Sequence, residues 1–149
     1  MELILNRATG MTFVARSGSN HWTVMDASPS VGGNGAAMNP FEHLLAAIAG
    51  CTSVDVLLVM HKKRIVVDDY WVKITAQRRA EHPQIATEIH IHYTLVGEKI
   101  PIADVAHAIE LSETKYCSVS AMVRPASKIT SSFEILTPEQ ARELKQQIS

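Results

Sequence analysis

The sequence predicts an α+β domain, on three observations. Short apolar runs bounded by turn residues fill the N-terminal third. A long, almost uncharged segment with helix-start signals at its head follows, and β-branched runs with alternating polarity recur in the second half. The strands therefore come in clusters instead of alternating strictly with helices, in the order β-β-β-α-β-β-α-β-α. With no tandem repeat, low-complexity tract or Pro/Ser-rich linker, residues 1–149 read as a single domain.

Each element has its own local signature. Leu3–Asn6, Met11–Arg16 and His21–Asp26 are short strand-like runs separated by Thr9-Gly10 and by Ser17-Gly18-Ser19-Asn20, the pattern of an antiparallel meander. A glycine-rich loop, Val31 to Ala37, comes next. Asn39-Pro40-Phe41-Glu42 then opens the first long helix: Asn as N-cap, Pro at the first helical position and Glu three residues past the cap form a capping box. That helix should reach His61-Lys62-Lys63, where cations suit the negative end of the helix dipole. Being apolar nearly all round, it is expected to be the central core helix.

Val66–Ala80 and Ile85–Val96 follow as a hairpin turning near Glu81-His82-Pro83, and alternation puts Ile89, Ile91, Tyr93 and Leu95 on one face. Pro101 introduces a second helix over Ile102–Thr114, with apolar spacing at Ile102, Val105, Ala106 and Ile109. A break is expected over Lys115–Ser120. A strand over Ser127–Leu136 then leads to Thr137-Pro138-Glu139-Gln140, a second capping box that begins a polar terminal helix.

Composition excludes several functional classes. Fourteen Lys+Arg against fifteen Asp+Glu give a formal net charge of −1, a balance unsuited to nucleic acid or anionic lipid as the main partner. With 46% hydrophobic and 19% charged residues the chain can bury an ordinary core. The N-terminal residues lack the apolar stretch of a secretory signal. The most apolar run, Leu44–Val59, is short for a membrane span and contains Asp55, so a cytoplasmic address without a membrane is expected. Two cysteines, Cys51 and Cys117, are too few for a disulfide scaffold or a structural zinc site. No metal or cofactor is expected.

Cys51 lies about twelve residues into the first long helix, too far from its N-terminus for the dipole to activate the thiol. At 100° per residue Asp55 sits about 40° from it on the same face, and a carboxylate there opposes thiolate formation. A reactive Cys51 therefore needs a cation, for which Arg16, Arg124 and Lys115 are candidates. Cys117 stands where a helix would restart at Ser118. Free cysteine is among the most buried residue types, so both thiols being inert core residues is the alternative that spacing leaves open.

Asn39 to Asp55 (NPFEHLLAAIAGCTSVD), paired with Lys115-Tyr-Cys117-Ser-Val-Ser120 at the end of a second helix, resembles the osmotically inducible protein C / organic hydroperoxide resistance superfamily. The resemblance covers nearly the whole chain. It implies an OsmC-like fold, antiparallel sheets wrapped around central helices in an intertwined homodimer with its sites at the subunit interface. It also implies a cofactor-free, cysteine-based peroxidase of oxidative or osmotic stress defence. Cys51 would attack an apolar organic hydroperoxide, Cys117 would resolve the sulfenate as a disulfide, and an external dithiol would reduce it. The best-understood branch carries Glu directly after the Asn-Pro pair and an Arg from the N-terminal strands. Here Phe41 occupies the first position, and Glu42, about 180° from Cys51, reads as a cap. Arg16 would be the strand arginine. A non-enzymatic homodimeric binder or redox sensor of the same fold is the alternative.

Other motifs carry weaker implications. His90 and His92 share a strand face without further ligands at metal spacing and read as a solvated polar face. Gly32-Gly33-Asn34-Gly35 lacks the Gly-Lys-Ser/Thr ending of a phosphate loop and is expected to be a mobile flap. His61-Lys62-Lys63-Arg64 reads as a solvated helix end, and no nucleophile-elbow serine is present.

Overall fold

The computed structural model describes residues 1–148. The chain divides into two compact units, Met1–Ala46 and the remainder from Ala47, with one helix running through the boundary.

The first unit is the expected meander. Strands β1 (Leu3–Thr9), β2 (Thr12–Ser17) and β3 (Trp22–Asp26) pair antiparallel in that order. The turns fall where left-handed backbone is tolerated, at Gly10 (φ +51°) and Asn20 (φ +63°). β1 is exposed along its whole length, including Leu3, Ile4 and Leu5.

Asp26 is buried at the end of β3, where its carboxylate accepts the backbone amides of Ala27, Asn34 and Ala36 at 2.8, 3.0 and 3.0 Å. The Ala36 amide foremost, with those of Asn34 and Ala27, holds this carboxyl below its ordinary range against the opposing effect of burial. The glycine-rich loop expected to be a free flap is thus tied down at its centre. Gly33 is obligatory there, since a Cβ would stand 1.8 Å from the Ala27 carbonyl oxygen.

Helix α1 (Pro40–Lys62) opens with the expected capping box: Asn39 Oδ1 accepts the Glu42 amide at 3.0 Å, and Glu42 Oε2 accepts the Asn39 amide at 2.7 Å. His43 Nε2 meets Thr23 Oγ1 at 3.1 Å and ties this first turn to β3.

In the second unit the expectation of an all-round core helix is corrected. Only the stripe Ile48, Thr52, Val56 and Met60, one residue per turn, is buried, while Val54 is 66% exposed and Leu57 and Leu58 are also exposed. Uniform apolarity does not say which face has a partner; packing does. α1 has the bounds expected from its start signals and from the cations at its end. By length and composition alone it is a helix that can cross a membrane, weak evidence that a core helix also satisfies.

β4 (Asp69–Arg78) and β5 (Ala86–Val96) form the expected hairpin, with Ile89, Ile91, Tyr93 and Leu95 fully buried. β6 (Lys128–Leu136) completes the sheet in the order β4-β5-β6. The α+β class holds, but β6 runs parallel to β5, a departure from the all-antiparallel sheets expected. The cause is the connection: α2 (Ile102–Leu111), a π-helical turn (Ser112–Tyr116) and α3 (Ser118–Val123) carry the chain back to the end where β5 began.

α2 ends earlier than the Thr114 expected, and it buries Val105, Ala108 and Ile109, whereas Ile102 is 69% exposed and Ala106 is exposed. α4 (Pro138–Ile148) starts with the second capping box, in which Thr137 and Gln140 exchange bonds of 2.9 and 3.2 Å.

Candidate functional site

Two segments distant in sequence build the site. On α1, Cys51 and Asp55 lie one turn apart and point the same way. The second segment is the joint between the π-helical turn and α3. There the backbone leaves helical geometry at Cys117 (φ −70°, ψ 97°), which becomes the N-cap of α3. The Ser120 amide donates to Cys117 Sγ at 3.3 Å, and the thiol donates to Ser120 Oγ at 3.1 Å. A cysteine thus takes the role usually given to serine or aspartate at a helix start.

The two segments meet closely enough for chemistry. Cys51 Sγ, Cys117 Sγ and a carboxylate oxygen of Asp55 all lie within 4.8 Å of one another. Cys51 is half-buried, whereas Cys117 is 4% exposed, so a small molecule reaches Cys51 first. Asp55 is oriented by Ser112, which is buried and donates to Asp55 Oδ2 at 2.9 Å.

The electrostatics favour the neutral thiol. Burial pushes Cys51 up from its ordinary value, and the hydrogen bond with Cys117 adds to this. The Val119 amide, donating toward the sulfur, works against it, while negative charge on Cys117 and Asp55 raises it further. Beneath the cluster, Tyr93 is fully buried and its phenol is pushed up to about 12, chiefly by burial, with smaller contributions from Glu113, Cys117 and Asp55. The Tyr93 hydroxyl and Glu113 Oε1 are buried without a hydrogen-bond partner among the described residues. Thr52 Oγ1 lies near enough to oppose that rise, but its own proton goes to the Ile48 and Ala49 carbonyls, each at 3.1 Å.

Asp55 also forms one wall of a cleft of about 270 Å³. Leu58, Val59, Leu111 and Tyr116 supply its apolar surface, and Lys62, Lys63 and His107 its polar rim. Lys63 is ion-paired with Asp104.

The candidate cations are placed as follows. Arg124 donates to the Glu113 carbonyl at 3.2 Å, and Lys115 lies over the Tyr116 ring at 5.5 Å. Arg16 belongs to the first unit, where its guanidinium stands 5.6 Å from the centre of the Trp22 ring. Phe41 and Glu42 sit in the first turn of α1, with Glu42 occupied as the cap partner.

Sequence reasoning missed Ser112, Ser120 and Tyr93 as site neighbours. Ser112 had a signal, since it continues the buried face of α2 three residues after Ile109. The other two had none beyond their place in strand or helix. His90 and His92 bond along β6: His90 reaches Thr130 and Ser132, and His92 reaches Ser132, all at 2.8 Å, as the polar-face reading expected.

Comparison with known proteins agrees with this architecture. Residues 32–132 match the family model described as OsmC-like protein. Protein YhfA of Escherichia coli K12 is 40% identical over 136 residues, covering 91% of this chain and 98% of that protein. A hypothetical protein from Aquifex aeolicus VF5 has a crystal structure that superposes with a TM-score of 0.80 at 34% identity, over 91% of this chain and 96% of that one. An organic hydroperoxide resistance protein OsmC from Legionella pneumophila shares the fold at a TM-score of 0.65 and 14% identity, over 92% of this chain and 97% of that one.

Proposed function

Since the chain belongs to the OsmC-like protein family, we propose that it reduces organic hydroperoxides through a Cys51 sulfenate and a Cys51–Cys117 disulfide. One observation carries the reading: two thiols from separate segments converge within 4.8 Å, one half-buried and one buried, beside Asp55, which lines a cleft with apolar walls. The Cys51 thiolate attacks the peroxide, forming S–O and breaking O–O, and the alkoxide leaves as the alcohol after taking a proton. Cys117 then attacks the Cys51 sulfur, forming S–S and releasing the hydroxyl as water. The two thiols have supplied two electrons, and an external dithiol restores them. The apolar part of the substrate lies along Leu58, Val59 and Leu111.

The same proposal includes a homodimer with the sites at its interface. The exposed β1 residues Leu3, Ile4 and Leu5 and the exposed α1 residues Val54, Leu57 and Leu58 support it, being apolar surface that a second chain would cover. Arg16 serves as the activating cation in this reading, and a reducing cytoplasm keeps both thiols ready. Residues 1–149 act together as one domain.

Cumene hydroperoxide consumption with a dithiol reductant tests the chemistry. Cys51→Ser should abolish turnover, and Cys117→Ser should allow a single turnover that leaves a sulfenate detectable by mass spectrometry. Undiminished turnover in Cys51→Ser would sink the reading, and Arg16→Met should slow the peroxide step while leaving both thiols titratable.

The raised Cys51 thiol favours a second reading, a redox sensor or small-molecule binder of the same fold that oxidises without rapid turnover. Its mark is a disulfide that forms stoichiometrically with hydroperoxide but gives no multiple turnover when dithiol is in excess.

A further inference from the structure

We propose that the reduced Cys51–Cys117 pair, together with Asp55, binds one soft divalent cation of the zinc class. The sequence alone offered two cysteines, too few for such a site, and the fold adds the third donor. Cys51 and Asp55, one turn apart on α1, present two ligands from one helix face, and Cys117 brings the third from the start of α3.

The three donor atoms lie within 4.8 Å of one another. Tetrahedral zinc with Zn–S bonds of about 2.3 Å holds its sulfurs ~3.8 Å apart, so the site needs to contract by only about 1 Å. Three protein ligands leave a fourth position open, the arrangement of an accessible zinc site, not of a sealed structural one.

Charge points the same way. Two thiolates and the Asp55 carboxylate together would carry three negative charges in a partly buried place. A divalent cation reverses that balance: two thiol protons leave as two Zn–S bonds form, and the net charge of the cluster falls to −1. Thiolate donors select zinc or cadmium over magnesium or calcium.

The surroundings are also those of a ligating carboxylate. Ser112 holds the second-layer bond to Asp55 Oδ2 at 2.9 Å. The buried Tyr93 hydroxyl has no hydrogen-bond partner among the described residues. The site shares residues with the proposed peroxidase centre but does not depend on that activity, since no peroxide is needed to fill it. Oxidation to the disulfide would empty it.

The reduced, metal-stripped full chain is titrated with zinc against a chromophoric zinc indicator. The expected result is one zinc per chain, with affinity at least about tenfold weaker in Cys51→Ser and in Asp55→Asn, and no binding by the disulfide form. A His90→Asn/His92→Asn double variant, which removes the other paired ligands on the β5 face, should bind as wild type does. No binding by the wild-type chain, binding unaffected by Asp55→Asn, or binding lost in the histidine variant would each overturn the assignment. A second measurement keeps the test independent of variant folding: zinc should slow alkylation of both Cys51 and Cys117 in the wild-type chain, and unchanged alkylation of either would equally overturn it.

Discussion

Removing the Tyr93 hydroxyl is expected to stabilise the protein. Tyr93 lies mid-strand in β5, opposite Val72 of β4 and Phe133 of β6, and is 0% exposed. Its ring contributes apolar burial that phenylalanine retains in full. Its oxygen is buried with no hydrogen-bond partner among the described residues, Thr52 Oγ1 being turned to the Ile48 and Ala49 carbonyls, and such a group costs about 1–3 kcal/mol. Tyr93→Phe should recover ~1 kcal/mol or more, which raises the midpoint of thermal unfolding by about 2–4 °C per kcal/mol in a domain of this size.

Urea denaturation of the reduced, metal-free protein at neutral pH measures the difference, with an unchanged denaturant slope showing that the unfolding transition is the same. Alkaline pH supplies a second readout. The folded phenol is raised to about 12, so the stability linked to keeping it neutral is present below the free tyrosine value of about 10 and is lost as pH climbs through the folded value. The gap between Tyr93→Phe and wild type should therefore widen in favour of the variant above about pH 10. Destabilisation by more than about 1 kcal/mol would refute the reasoning, because it would mean that the hydroxyl is satisfied.

Three further outcomes are expected. Gly33→Ala places a methyl 1.8 Å from the Ala27 carbonyl oxygen, so the loop must move; a loss on the order of 1–3 kcal/mol and faster proteolysis within residues 27–38 are expected, and a variant as stable and resistant as wild type would contradict the packing. Asp26 is held below its ordinary carboxyl value, so its contribution is present above that range and is lost as pH falls through the lowered value; Asp26→Asn should be less stable than wild type at pH 7, and equal stability of the two proteins there would contradict the anchor. Cys51, raised by burial and by Cys117, should alkylate more slowly than a free cysteine at neutral pH, with a rate still rising above about pH 8.5; a rate that plateaus below that point in site-resolved mass spectrometry would show an activated thiol instead.

Much of the fold was legible because its signals are local. The Asn39–Glu42 and Thr137–Gln140 capping boxes, the Gly10 and Asn20 turns and the Ile89–Leu95 alternation each depend on neighbours a few residues away, and each appears where the sequence placed it. Glu42 reads as a cap for the same reason. The buried stripe of α1 was not legible, since its surface is apolar on every side and only contacts distinguish Val56 from Val54. The early end of α2 was equally hidden, because the π-helical turn that follows continues the apolar phase through Ser112.

Sequence by itself determined the α+β class, the element order and the resemblance carried by Cys51 and Cys117, since periodicity, caps and motifs are written in contiguous residues. Tertiary structure alone decided the parallel pairing of β6 with β5 and the meeting of α1 with the start of α3. It also set Ser112 against Asp55, 57 residues away in the chain. The physical reason is that a long-range contact is selected by packing and loop closure among many alternatives, none of which leaves a mark on local sequence. The helical spacing of Cys51 and Asp55 was visible from the start; the convergence of Cys117 on them was not, and that convergence makes two thiols and a carboxylate one site.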